Sequence, residues 1–512
     1  MPLHCDQAVA RMQACLSPKN MLEKQIPNRV GFSHVLAEII MNQHPIWKYI
    51  DDNADRLRVL SDNVWAVPET CYGEHKSVAL HIEELEAQGF RVEKEAAGIP
   101  TAVIGEAGSG GPVIGFLGEY DALAELSQVA DLPEQQALET GANGHGCGHN
   151  MLGSAAMLAA IALKNWLEET GTPGRVRYYG CPAEEGGSAK SFMVKRGAFQ
   201  DCDIAITWHP GSIATVVTGS SLAAARVDFE FFGKASHASA SPDLGRSALD
   251  AVELMNVGVN YMREHMSDQA RIHYAYIDAG GISPNVVQAY ANARYVVREP
   301  SVKETVKLID RVVNVAKGAA LMTETEMKWR LVTISAEVIA NTPLCQAMEK
   351  NLHMLGAPDF TDVDVAYAKR FQNTLEQKDI SASYSMLGLG VQRDKVLADF
   401  LPPLGHQSND LPASTDVGDV SWVVPTVQLW GANYAIGTPY HTWQMVAQGK
   451  SAPALKGMVH AATVMAMTGV DAITNPELRE AAWADLKERV GEEGYVSALP
   501  DDAEPPIKEM AG

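Results

Sequence analysis

The sequence predicts an α/β protein with a sheet flanked by helices and a smaller α+β unit inserted into it. Three observations carry this reading. Short apolar runs alternate with helical patterns along most of the chain. One internal stretch, residues 221–335, departs from that alternation and gives the order β-α-β-β-α-β, a ferredoxin-like split motif. The α/β pattern then resumes, so the small unit is an insertion. A chain of 512 residues has room for two domains.

Residues 1–45 mix charges, proline and methionine without a clear period and are read as an N-terminal extension. Helical patterns follow at 46–64 and 78–88. Strands are expected at 101–105, 112–117, 175–179, 204–208 and 426–430, with Ala-rich helices at 151–166 and 452–467. In the insertion a strand at 225–232 leads to a helix at 247–265 and strands at 271–278 and 286–297. A second helix follows, on which Val302, Val306, Ile309, Val313 and Ala316 recur at helical spacing, then a strand at 326–332. The larger domain is therefore discontinuous, 46–220 and 336–480, with the insertion at 221–335 and a tail at 481–512. After Asn475 one polar helix is expected, and residues 501–506 read as frayed.

Hydrophobic residues at 46% and charged residues at 20% suit a globular core. A net charge of −22 excludes general binding to nucleic acid or anionic membrane, which need a positive surface; a local basic pocket for an acidic substrate stays open. Seven scattered cysteines make a poor disulfide framework and point to a reducing cytoplasm. There is no positively charged start followed by an apolar run, and no apolar stretch reaches the roughly 18–20 residues that span a bilayer. A soluble, cytoplasmic protein is expected.

Polar clusters fall near the ends of expected strands, where sites form in open α/β sheets. Gly144-His145-Gly146-Cys147-Gly148-His149-Asn150 precedes an Ala-rich helix and offers thiol and imidazole ligands between glycines. Cys181-Pro182-Ala183-Glu184-Glu185-Gly186-Gly187 offers two adjacent carboxylates, one to hold metal and one to activate water, or both as ligands. His209 ends one strand, and His441 lies in Thr438-Pro439-Tyr440-His441-Thr442-Trp443. One thiol, three imidazoles and two carboxylates exceed what a closed four-ligand structural site needs. They suit a catalytic centre with one or two metals and an open position for water. In Gly118-Glu119-Tyr120-Asp121-Ala122-Leu123, Glu119 could touch metal, and Asp121 could fix a ligand histidine through its second N–H. A cysteine hydrolase built on Cys147 and His149 would leave Glu184, Glu185, His209 and His441 without a role.

These motifs, with Val67-Pro68-Glu69-Thr70 and Ser414-Thr415-Asp416-Val417-Gly418-Asp419-Val420, resemble the aminoacylase and carboxypeptidase family of metallopeptidases. The likeness covers roughly residues 47–480 and is closer to the branch of hippurate hydrolases and auxin-conjugate hydrolases. Asn150, Met151 and Leu152 after the ligand histidine give the form found in p-aminobenzoyl-glutamate hydrolases. The resemblance implies a metallopeptidase-type catalytic domain with a central mixed sheet and a ferredoxin-like lid that mediates dimers. It implies Cys147, His149, Glu185, His209 and His441 as ligands of zinc or manganese, one or two ions in each protomer, and Glu184 as general base. In the lid, Gly233-Lys234-Ala235-Ser236-His237-Ala238 matches a motif whose histidine holds the scissile carbonyl or substrate carboxylate, and Asn285 and Arg298 match substrate-contacting positions. Glu119 stands where wider relatives have His or Asp, which leaves the second metal's ligands open. The implied reaction is hydrolysis of an N-acyl or N-aroyl amino acid of the p-aminobenzoyl-glutamate kind by a homodimer. The alternatives are a dipeptidase or aminopeptidase of the same family, or a metal-containing chain that serves a second, different type of chain.

Overall fold

The computed structural model describes residues 44–510. The extension expected at 1–45 lies, up to residue 43, outside the described residues. The strands in chain order are β1 (Arg91–Lys94), β2 (Val103–Ser109), β3 (Val113–Glu119), β4 (Gly174–Cys181), β5 (Ile204–His209), β6 (Ser212–Val216), β7 (Ala223–Phe232), β8 (Arg271–Asp278), β9 (Tyr290–Glu299), β10 (Glu326–Ser335) and β11 (Thr426–Ala432). Seven of them form one sheet in the order β1-β2-β4-β3-β5-β11-β6. Its centre, β4-β3-β5-β11, is parallel; β1, β2 and β6 pair antiparallel, so the sheet is mixed.

Parallel strands covered on both faces must be apolar throughout, and β3 is buried along its whole length. One face packs against the helices Trp47–Trp65, His149–Thr170, Thr342–Leu355 and Ala452–Thr474. The core on the other face includes Ala189 and Phe192 of the helix Ala189–Lys195 and Val417 and Val420 of the helix Val417–Val423, and it continues into the smaller sheet.

That smaller sheet is antiparallel throughout, in the order β10-β7-β9-β8. The helices Ala248–Met262 and Val302–Thr323 cover one face. Ser247 and Ser301 cap them, each accepting a backbone N–H three residues on. Along β9, Ala291, Ala293, Tyr295 and Val297 are buried in the core shared with those helices, and Arg294, Val296 and Arg298 alternate to the opposite face.

The structure adds elements that periodicity did not disclose. β1 reads Arg-Val-Glu-Lys and is an edge strand, where charge is tolerated. β9 starts at Tyr290 rather than 286, because Val286 makes only an isolated bridge to His237. The stretch expected to fray is held to the body. Lys195 donates to the Pro500 carbonyl, Arg196 pairs with Glu504, and Arg330 of β10 pairs with Glu509 at 2.7 Å. No helix among the described residues is long and apolar enough to cross a membrane.

Candidate metal centre and its cavity

The parallel strands end side by side, with Glu119 opposite Cys181 and His209 opposite Trp430. Glu119 closes β3 and Asp121 follows it. Beyond β4 the chain turns through Ala183 in the left-handed region (φ 55°) and presents Glu184 and Glu185. Cys147 and His149 arrive from the loop that enters the helix His149–Thr170. Gly148 between them has φ 77°, and a Cβ there would lie 2.3 Å from the Tyr434 hydroxyl, so only glycine permits this turn. His441, itself left-handed (φ 59°), is pinned by its backbone N–H to the Gly146 carbonyl at 2.9 Å.

These segments bring the five sequence-derived ligands together. Cys147, His149 and His209 form one group and Cys147, Glu185 and His441 another, with ligand atoms in each within 4.8 Å of one another. Cys147 Sγ lies 3.4 Å from His209 Nε2, and Glu185 Oε1 lies 3.3 Å from His441 Nε2. His149 Nε2 and Glu185 Oε1 are buried without a hydrogen-bond partner. Burial of such atoms is costly unless something else takes their lone pairs. The outer nitrogens are already committed. His149 Nδ1 faces Asp121 Oδ1 at 2.8 Å, and His209 Nδ1 donates to the Pro210 carbonyl at 2.9 Å. Asp121 also accepts the Glu185 backbone N–H at 2.9 Å, tying two ligand segments together. A divalent metal fits this donor set.

The adjacent carboxyls differ in charge state. Burial raises the Glu184 carboxyl well above the usual range, helped by Glu119 and Glu185. Burial acts upward on Glu185 too, but the neighbouring His441 ring and the His149 charge bring it down to about 2. Burial thus favours the neutral form of Glu184, and the neighbouring imidazoles favour the charged form of Glu185. Glu119 is drawn in another direction. The fully buried Lys190 ammonium sits 2.6 Å from both Glu119 Oε1 and Asp416 Oδ1. The other Glu119 oxygen lies 3.3 Å from His149 Nε2. Sequence reasoning gave Lys190 and Asp416 no role.

A cavity of ≈ 290 Å³ opens over the centre. Cys147, Glu184, Glu185, His209 and His441 line it on the metal side. Met386, Leu411, Trp430 and Tyr440 supply apolar surface, and Arg226 and Arg298 of the smaller sheet also line it. Arg226 was not foreseen, since an arginine within a strand carries no motif. His237, Asn285 and Lys234 are exposed and do not line this cavity. Three hydrogen bonds converge on His237 Nδ1 from Ser239 and Ala240 within its own turn.

Residues 115–398 match the peptidase family M20/M25/M40. Over 478 residues the chain is 43% identical to the B-type chain of p-aminobenzoyl-glutamate hydrolase of Escherichia coli K12, covering 90% of this chain and 99% of that protein. It is 30% identical to the Xaa-Arg dipeptidase of Mus musculus, over 89% of this chain and 95% of that one. A solved Bacillus subtilis structure, described as a dinuclear metal binding peptidase from the M20 family, superposes with a TM-score of 0.53 at 16% identity. It covers 83% of this chain and 99% of that one, a likeness of fold. With a mixed sheet whose strand ends gather a metal-ligating set, and with relatives matched over nearly their whole length, the chain belongs to peptidase family M20/M25/M40.

Proposed function

We propose that this metal-dependent amidohydrolase cleaves the amide bond of a small N-acyl or N-aroyl amino acid, p-aminobenzoyl-glutamate-like, to a carboxylic acid and a free amino acid. The observation that carries it is the gathering of Cys147, Glu184, Glu185, His209 and His441 around one cavity, with His149 grouped behind Cys147. Cys147, His149, Glu185, His209 and His441 hold the metal, zinc or manganese. Asp121 orients His149 through its outer nitrogen. When bound, the metal polarises the amide carbonyl and acidifies the attacking water. Glu184 takes the proton from that water and delivers it to the leaving amine, one group serving as base and then acid. Glu119 stays beside the ligands, its charge balanced by Lys190.

The inserted unit serves as a lid over this cavity and as the surface of a cytoplasmic homodimer. Tyr274, Tyr276 and Ile277 of the edge strand β8, with Leu254, Val257 and Tyr261 of the neighbouring helix, leave apolar surface exposed, which favours pairing of lids. His237, outside its own chain's cavity, then acts in the partner's site, with Asn285 nearby on the same turn pair. Two other readings rest on relatives. The Xaa-Arg dipeptidase favours a dipeptidase. The Escherichia coli hydrolase, whose matched chain is named as one of two kinds, favours a chain that needs a second kind beside it.

The test uses the purified chain alone, dialysed against a chelator and reloaded with Zn²⁺ or Mn²⁺. Cleavage of N-aroyl amino acids that is lost and then restored supports the proposal. Full activity in metal-free protein overturns it. Cleavage confined to substrates with a free amine favours the dipeptidase, and inactivity until a second kind of chain is added favours the two-chain reading.

A further inference from the structure

Five arginines share the face of the smaller sheet turned away from its helices, one of them Arg271 of the edge strand β8, opposite Arg298. Arg226 of β7 pairs in register with Val296 of β9, and Arg298 of β9 with Ala224 of β7, which sets the two arginines diagonally on one face. Arg294 of β9 is opposite Asp228 of β7, and Arg330 of β10 is opposite Asp228 from the other side. The last two are neutralised. Arg294 binds Asp228 through two hydrogen bonds of 2.7 and 2.9 Å, and Arg330 pairs with Asp228 and Glu509.

Arg226 and Arg298 are not neutralised. Arg226 gives one bond, from Nη2 to the Glu185 backbone carbonyl at 2.8 Å. Arg298 gives one, from Nη1 to the Ser414 hydroxyl at 3.1 Å, and its Nε is buried without a partner. Among the described residues neither guanidinium has a carboxylate in salt-bridge range. The arginines around another hollow are arranged differently. A surface hollow of ≈ 500 Å³ is lined by Arg91, Arg177 and Arg196, and those are paired with Glu106, Asp201 and Glu504. In a chain of net charge −22, leaving two shielded guanidinium groups unpaired is a cost that folding does not explain. Burial presses both toward the neutral form, and for Arg298 the charge on Arg226 adds to it. A ligand that brought two carboxylates would relieve both.

We propose that Arg226 is a specificity-determining residue that binds the side-chain carboxylate of an acidic amino-acid moiety, while Arg298 binds its α-carboxylate. Both line the cavity that also holds Glu184 and the metal ligands, so the two charges fix the amino-acid half of the substrate there. The apolar surface of Met386, Leu411, Trp430 and Tyr440 is left for the acyl half. Guanidinium–carboxylate pairs gain from charge-assisted, often bidentate bonds. The same pair repels a lysine or arginine side chain. The pocket therefore discriminates against the basic residue named in the Xaa-Arg dipeptidase relative, despite 30% identity to it.

This inference rests on the amidohydrolase reading, and the experiment separates the two. Binding of free glutamate, glutamine and arginine to the metal-loaded protein is measured by calorimetry, alongside kcat/KM for p-aminobenzoyl-glutamate and its glutamine analogue. The wild type is expected to bind glutamate at least tenfold more tightly than glutamine, and arginine weakest. R226M should remove that preference while glutamine binding stays within about twofold, and R298M should weaken glutamate and glutamine alike. R226K restores charge without the planar fork and should recover part of the preference; if R226M fails to fold, R226K carries the test through a reduced glutamate-to-glutamine ratio. A wild type without preference, or R226M and R226K variants that keep it in full, overturns the assignment. Discrimination in binding with no turnover of either amide, by this chain alone or beside a second kind of chain, leaves Arg226 standing and removes the amidohydrolase reading.

Discussion

The helices His149–Thr170 and Val302–Thr323 are both 22 residues long, yet they live in different surroundings. The first is buried on nearly every side for most of its length, and alanine recurs along it because sheet and helices close in together. The second buries one face, through Leu308, Ile309, Val312, Val313 and Ala316, and shows charge to solvent. His149 sits in the first turn of the buried helix, so a proposed metal ligand is fixed by the most constrained element of the molecule. The inserted unit carries its polar turn, with His237 and Asn285, at an exposed margin. The difference separates a rigid centre from a part that is free to meet another surface.

The largest expected effect tests the rigid side. Glu184→Gln should lower kcat by about 10²–10⁴ with metal content unchanged, the usual worth of a general acid–base group. Glu185→Gln should instead release metal on dialysis. Equal metal loss in both would show that the two roles are not divided in this way. The open side is tested next. His237→Ala should cost about 10²–10³ in kcat if the imidazole stabilises the developing oxyanion. Inactive His237→Ala chains mixed with inactive Glu184→Gln chains should regain activity after the protomers exchange. Silent mixed dimers, with wild-type dimers surviving the same treatment, would place His237 outside the partner's chemistry.

A packing contrast follows at smaller scale. Ala159→Leu in the buried helix should destabilise by about 1–3 kcal/mol through overpacking. Asn314→Leu, on the exposed face of the second helix, should change stability by about 0.5 kcal/mol or less. Denaturant midpoints at constant m-value decide this, and similar losses at both positions would erase the contrast. The smallest effect is on acid stability. Burial holds His81 and His460 neutral, down to about 3 and about 4 from 6.5. Below pH 6.5 the unfolded chain takes up protons that the folded chain refuses, so stability is full above that value and declines through the interval below it. His460→Asn should flatten part of that decline in pH-dependent melting, and an unchanged slope would argue that His460 is not held neutral.

The centre of the fold was legible because its elements obey one period each. The parallel strands β3, β5 and β11 are largely apolar, and the lid helices repeat at helical spacing. The edge strand β1 was not, since a charged four-residue segment becomes a strand only through pairing with β2. Helices such as Ala189–Lys195 and Val417–Val423 are too short to show a period. Among site residues, thiol, imidazole and paired carboxylates stand in short glycine-flanked motifs and could be found. Lys190 could not, because a lysine shortly after a glycine pair reads as solvated; its burial arises only where Glu119 and Asp416 converge from distant segments. Arg226 was hidden for a related reason. An unpaired charge is visible only when every neighbour is known.

The face of the smaller sheet that carries five arginines has an evolutionary consequence. Glu184 and the proposed metal ligands belong to the larger sheet and its loops, whereas Arg226, proposed to choose the amino acid, stands on β7 of the smaller one. A substitution at that one strand position can therefore change which amino acid is accepted and leave Glu184 and the proposed metal ligands in place. Lineages within such a family can diverge in what they digest faster than in how they digest it. Exchanging residue 226 alone is the shortest route by which one amino-acid preference is traded for another.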